Sequence, residues 1–346
     1  MRNLLFAPRR DPARVKCDDD KVVVAQCDIA VAYTQAELFG HDEPPRYLKV
    51  LDPVTQQWRY FRQIGNLYGS ASSGKRWEVT LNKFLKSPEI GLQQGKNEPC
   101  AFYHPTRDMF ILTYCDDLLC RGKLSDIKWF FDKLGMTFNI KPPAYLSRTD
   151  MMDHLGIVFF EAEEGTYLSM QNYVEVMCQR LSIDINKYRQ KPRHLPMSAP
   201  ISDLQPCTPE ECKRFMSAAG MVGWISGTGR PECRVYHSRV SQYMAAPVKG
   251  ALKAVMGIVK YLASTSTMCL FQPWWDAKDP ELLKWRFFSD SDQSSNPEVV
   301  AKRKSQLSYI ALRGKAPIAF GSKCSAVQLP PGYDSFGVDH HGLGKP

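Results

Sequence analysis

No stretch of this sequence approaches the 18 or so consecutive apolar residues that a membrane-spanning helix needs. Its opening segment, MRNLLFAPRRDPARVKCDDDK, carries too many charges to serve as a secretory leader or an anchor. No membrane partner is expected, and the chain reads as soluble and intracellular. There is no C-x-x-C pair: the 11 cysteines are scattered, with only the wide spacings Cys115/Cys120 and Cys207/Cys212. That pattern argues against a zinc site and against a disulfide framework, so reduced thiols are expected. No internal repeat is evident.

What is present is enough to build cores. The chain has 346 residues, 44% hydrophobic and 11% aromatic, which suits two or three domains. Its net charge of +9 is concentrated in residues 186–260, where twelve Lys and Arg face four acids, Asp203, Glu210, Glu211 and Glu232. Such a segment suits a polyanionic partner, and suits equally well a solvated basic face.

Local patterning suggests an α+β fold. VVVAQCD (22–28) reads as a short buried strand ending in an acid, and AVAYTQAEL after it has helical character. Residues 46–50 and 58–62 read as half-exposed strands, and 74–86 as a helix with Trp77, Val79, Leu81, Phe84 and Leu85 near helical spacing. DMFILTYCDDLLCRG (108–122) is a β-hairpin turning at Cys115 and Asp116. An amphipathic helix over 124–135 and a second hairpin over 153–170, turning at Glu164 and Gly165, follow. The expected architecture is a largely antiparallel sheet with helices on one face. A Pro-containing linker (190–210) leads into a nearly all-helical stretch (211–264), then strands over 284–292 and 307–323 and a loose tail.

Two motifs invite a chemical reading. LYGSASSGKRW (67–77) has Gly69, then Gly74 and Lys75, in the manner of a phosphate-cradling loop. Arg76, however, stands where a P-loop needs a Ser or Thr for Mg²⁺, and no good buried strand precedes the turn, so a helix-entry turn is the better reading. The acids say more. Asp28 ends a strand, and Asp116 and Asp117 occupy a hairpin turn. Asp-Asp in a turn is commonly just turn chemistry. Joined by a third acid from a neighbouring strand, the pair gains the means to hold two divalent ions about 3.5–4 Å apart and clamp an in-line phosphoryl displacement.

Tyr114-Cys115-Asp116-Asp117 resembles the Tyr-x-Asp-Asp box of reverse transcriptases, and further segments resemble, in order, the copia-type retrotransposon polymerase. They include CDIAVAYTQAEL, LYGSASSGKRW, FDKLG, HLGIVFF and GTYLSMQNYVEVMCQRL, then GMVGWISGTGRPECRVYHSRVSQYMAAP, VKGALKAVMGIVKYLASTS, and FFSDSD with KSQLSYIALRGKAPIAFGSK. The resemblance covers residues 21–328. It implies a reverse-transcriptase palm over 21–185 with truncated fingers, a linker and helical connection region over 186–282, and a partial RNase H-like β piece over 283–328. A divergent segment (1–20) and a disordered tail (329–346) flank these.

The implied activity is RNA-directed DNA polymerisation, with an RNA template, a DNA or RNA primer and dNTPs as partners, inside a parent Pol polyprotein. The implied place is the cytoplasm, in a virus-like particle, or the nucleus. Asp28, Asp116, Asp117 and the backbone carbonyl of Ile29 would hold two Mg²⁺ ions, for which Mn²⁺ would substitute. Tyr33 would close off the space around a sugar 2′-hydroxyl, although its spacing also suits a core aromatic on a helix. Tyr114 and Cys115 would floor the primer terminus, Cys115 standing where the family often has Val. Tyr68, Lys75 and Arg76 would serve nucleotide and template, although Ser70, Ala71 and Ser72 replace the family's usual Leu, Lys and Gln. Only 27 residues precede Asp28, so the family's fingers strands would be missing or replaced by MRNLLFAPRRDPARVKCDDD. Asp290 matches the first acid of an RNase H site, but the Ala-Glu-Tyr segment expected after it is missing, and RNase H activity is not expected. A decayed relic that at most binds nucleic acid is the alternative.

Overall fold

The computed structural model describes residues 11–12, 15, 21–40, 42–191, 193–195, 201–274, 279–291 and 306–324. The expected tail at 329–346 and nearly all of segment 1–20 lie outside these residues, as does part of the linker. Two compact units emerge, Pro12–Leu146 and a second comprising Ser147 onward with Asp11.

The first unit is built on a six-stranded antiparallel sheet in the order β4-β5-β6-β7-β1-β8. Its strands are β1 (Val22–Asp28), β4 (Gln93–Gln94), β5 (Ala101–Tyr103), β6 (Met109–Tyr114), β7 (Asp117–Lys123) and β8 (Ala144–Tyr145). The period-two pattern explains which face is dry. Ala25 lies opposite Cys120, Cys120 opposite Ile111, and Ile111 opposite Phe102, so one row of buried side chains crosses four strands. Helices α1 (Ser73–Leu85) and α2 (Leu124–Thr137) contribute Trp77, Leu81 and Leu85, and Ile127, Phe130 and Leu134, to the same core. Each such buried side chain stabilises the fold by about 1.5–3 kcal/mol before chain entropy is set against it. Val79 of α1, grouped with the apolar stripe by sequence spacing, is exposed.

Strands β2 (Arg46–Leu51) and β3 (Trp58–Gln63) pair only with each other, and they leave the core. The helix expected over 30–38 is reduced to a 3-10 turn, Ala32–Gln35. Val31 has φ 46° and Ala36 is extended, which stops helical propagation at both ends.

In the second unit β9 (Met152–His154), β10 (Ile157–Glu161), β11 (Gly165–Ser169) and β12 (Cys269–Pro273) form an antiparallel sheet in the order β12-β11-β10-β9. Helices α3 (Gln171–Arg180) and α4 (Ile185–Arg189) were not marked by periodicity, both being short. They are followed by α5 (Pro209–Thr228), α6 (Arg234–Val240) and α7 (Lys249–Ser264). Thr208 and Glu211 form a capping box ahead of α5, with Pro209 at its first position. The boundary drawn from sequence at 185/186 falls inside this unit, because β11 pairs with β12 and α3 packs on α7.

A three-stranded meander, β13 (Trp285–Ser291), β14 (Gln306–Arg313) and β15 (Ala316–Cys324), closes the described chain. Helix α6 packs on β15, and Gln306 donates to Ser238 and Ser322 at 3.0 and 2.7 Å. The basic segment 186–260 is in part internal. Arg189 pairs with Glu175 and Arg230 with Glu232, Arg214 donates to the Leu181 carbonyl, and Arg239 is buried. Of these, Arg230 and Arg239 are buried and do not belong to an open polyanion-binding face, whereas Arg189 and Arg214 are exposed. No helix among the described residues is long and apolar enough to cross a membrane.

Candidate active site

Three acids meet where β1 ends and β6 turns into β7. Asp28 and Asp117 are register partners, and Tyr114 lies opposite Asp117 across the hairpin. The Ile29 N–H donates to the Asp116 carbonyl at 2.9 Å, which locks the turn to the end of β1. The turn is tight: Cys115 has φ 57°, a conformation that glycine adopts more readily. Val31, just beyond Asp28, is a second residue at positive φ, so left-handed backbone brackets the acids.

Beneath the turn, Trp77 of α1 is buried and its Nε1–H donates to the Cys115 carbonyl at 2.8 Å. The Cys115 thiol donates to the Tyr33 hydroxyl at 3.3 Å, and Tyr33 packs on Tyr68 with ring centres 4.6 Å apart. A Cβ added to Gly74 would lie 3.7 Å from the Tyr33 hydroxyl, so the first turn of α1 abuts this aromatic pair. Tyr33 is half-buried and packs on the core from its 3-10 turn.

The electrostatics centre on Lys141. Its Nζ lies 2.9 Å from Asp28 Oδ2, and its backbone N–H donates to the Asp28 carbonyl at the same distance. The Asn139 carbonyl accepts from Ala30, and the Cys27 thiol donates to the Lys141 carbonyl at 3.4 Å. Burial, and next the Asp28 charge, push the Cys27 thiol up to about 11, so it stays protonated as that donor. The Asp117 carboxyl titrates above its ordinary range because it is desolvated and faces Asp116 and Asp28, against a smaller opposing effect of Lys141. The Lys141 ammonium is held protonated by its hydrogen bond to Asp28 and by that charge.

Hard oxygen donors in this number suit a divalent cation such as Mg²⁺. The side chains are close enough to raise one another's cost of ionisation, but they do not converge on one point. Among the described residues no group of three or more His, Cys, Asp and Glu side chains forms a metal-holding set. The Asp28 carboxylate is instead paired with Lys141.

The remaining residues singled out from sequence divide into two groups. Tyr33, Tyr68, Tyr114 and Cys115 gather with Ile29 around the acids. Lys75 and Arg76 are instead engaged within the fold. Lys75 pairs with Glu78 at 3.0 Å, and Arg76 pairs with Glu43 at 2.9 Å while lying over the Phe39 ring. Asp290 lies on β13 opposite Ser308 and lines a mostly apolar cavity of about 440 Å³ with Glu232, Phe288 and Tyr309. Sequence reading missed Lys141, Asn139 and the hydrogen-bonding role of Trp77. The one signal for Lys141 is its place before Pro142-Pro143, a pair that cannot continue a helix.

No family model matches the chain. It is similar to a protein named for transposon Ty5-1 in Saccharomyces cerevisiae, 24% identical over 288 residues, or 81% of this chain and 86% of that protein. It is also similar to the retrovirus-related Pol polyprotein from transposon RE1 of Arabidopsis thaliana, 25% identical over 309 residues, or 87% of this chain but 19% of the polyprotein. The corresponding polyprotein from transposon TNT 1-94 of Nicotiana tabacum is 24% identical over 273 residues, 75% of this chain and again 19% of the polyprotein.

Proposed function

We propose that this chain, a relative of copia-type retrotransposon Pol polyproteins, is an RNA-directed DNA polymerase centred on Asp28, Asp116 and Asp117. The observation that carries the reading is the register pairing of Asp28 with Asp117, with Asp116 in the adjoining turn. Three carboxylates from two strand ends with a single lysine against them form a site whose charge is unbalanced without a further cation.

With Asp28 released from Lys141, Asp28, Asp116, Asp117 and the Ile29 carbonyl would hold Mg²⁺, or Mn²⁺ in its place, which would acidify a primer 3′-hydroxyl and neutralise a triphosphate. The chain's own groups position the reactants. Tyr33, braced by Tyr68 and by the Cys115 thiol, presents an aromatic edge beside the acids, where it would exclude a sugar 2′-hydroxyl. Exposed Tyr114 and the rigid Cys115 turn would support the primer end. Template RNA, a DNA or RNA primer and dNTPs are the partners in this reading, and an intracellular particle derived from a parent Pol polyprotein is its setting.

A second reading, a relic that has lost catalysis, is favoured by one observation, the Lys141–Asp28 ion pair together with the unconverged carboxylates. Oligo(dT)-primed poly(rA) with Mn²⁺ at low salt tests the first reading. Template-dependent incorporation of dTMP, and not of dGMP, supports a polymerase. A folded chain that incorporates neither leaves the relic.

A further inference from the structure

The β2–β3 ribbon is the part of the first unit with the least packing to explain it. Every residue of both strands is exposed or half-buried, including Tyr47, Trp58, Tyr60 and Phe61. An isolated two-stranded ribbon is marginal in water, and this one is secured at its two ends. At the tip, Asp52 accepts from the Val54 and Thr55 N–H groups and pairs with Arg59. At the base, Arg46 donates to Ser72 Oγ at 2.7 Å and lies over the Phe39 ring. The faces between are left to solvent.

The register divides the side chains. Tyr47 opposes Arg62, Lys49 opposes Tyr60 and Leu51 opposes Trp58, so these six share one face. On it the Lys49 ammonium lies 4.4 Å from the Trp58 ring centre and 6.0 Å from that of Tyr60. Residues 46–63 carry four cations, Arg46, Lys49, Arg59 and Arg62, and one acid, Asp52, already paired with Arg59. An apolar protein partner would be met by a contiguous greasy patch. Here cations alternate with aromatic rings, which is the composition that binds phosphates and stacks bases together.

We propose that the face carrying Tyr47, Lys49, Leu51, Trp58, Tyr60 and Arg62 is a binding site for single-stranded nucleic acid. Bases stack on Trp58, Tyr60 and Tyr47, and the phosphates lie against Lys49 and Arg62. The site needs no chemistry at Asp116, so it stands whether or not the chain polymerises.

The test is fluorescence anisotropy of the full chain with a labelled short oligouridylate, at several salt concentrations. The double variant Trp58→Ala/Tyr60→Ala is expected to weaken binding by roughly tenfold per ring removed. Lys49→Gln/Arg62→Gln is expected to lower the slope of log affinity against log salt by roughly 0.7 per cation removed. Phe61→Ala on the opposite face is expected to bind as wild type does. All of these ribbon positions are exposed, and circular dichroism checks that the variants stay folded. Unchanged affinity in Trp58→Ala/Tyr60→Ala overturns the proposal, as does binding of an RNA duplex as tight as that of the single strand. Sedimentation gives the other occupant: self-association abolished by Trp58→Ala makes the face a contact between copies and also overturns it.

Discussion

Lys141 Nζ sits 2.9 Å from Asp28 Oδ2 while the backbone N–H of the same lysine holds the Asp28 carbonyl, so one residue ties both ends of that aspartate. The pair neutralises part of a three-carboxylate cluster from within the fold. Lys141→Met is therefore expected to raise the Asp117 carboxyl further above its ordinary range, since Lys141 opposes that shift. Carboxyl-carbon NMR titration of wild type and variant reads this directly, and an unchanged Asp117 titration would show that the lysine does not act on it.

Asp117 also makes stability depend on pH. Its folded pKa lies above the ordinary aspartate value of 3.8, so the folded state holds this proton more tightly than the unfolded state does. That contribution is fully present below 3.8 and is lost as pH rises through the folded value, which leaves ionised Asp117 destabilising at neutral pH. Asp117→Asn is expected to raise the urea midpoint at pH 7, with the advantage shrinking as pH falls below the ordinary aspartate range. Equal midpoints at pH 7 would contradict the crowding of the three acids.

Trp77 ties the core to the turn that carries Asp116 through its hydrogen bond to the Cys115 carbonyl. Trp77→Phe removes both the donor and ring volume, at a cost of about 1–3 kcal/mol. Denaturant unfolding measures the loss. Amide exchange should show it concentrated at residues 114–117, whereas a loss spread evenly over α1 would mean packing alone.

Cys115 pays conformational strain at φ 57°. Cys115→Gly is expected to stabilise the chain by roughly 0.5–1 kcal/mol, the relief of a left-handed residue less the added freedom of the unfolded glycine. Thermal melting reads the sign. A drop in melting temperature would make the thiol contact with Tyr33 worth more than the strain.

The hairpin carrying Asp116 was legible because FILTY and LLC are β-rich apolar runs with only a turn's worth of residues between them. Asp28 was legible because a buried strand runs straight into it. The neighbouring helix was not. AVAYTQAEL has helical composition, yet Val31 at φ 46° leaves only a 3-10 turn, a tertiary constraint that propensity does not carry. Arg76 looked like a phosphate ligand because its partner Glu43 is an ordinary surface acid until the fold brings it near, whereas Lys75 pairs with Glu78 one helical turn away. Lys141 was invisible for a related reason. The prolines after it mark the end of a helix and not a partner, and the bridge between Ile29 and Ile140 carries it to Asp28.

The most direct measurement is single-nucleotide primer extension on an RNA template, comparing wild type with Asp116→Asn and Lys75→Ala in one assay. The account predicts extension by wild type and by Lys75→Ala, and its loss in Asp116→Asn. Extension by Asp116→Asn at the wild-type rate, or none by a demonstrably folded wild type, would contradict it.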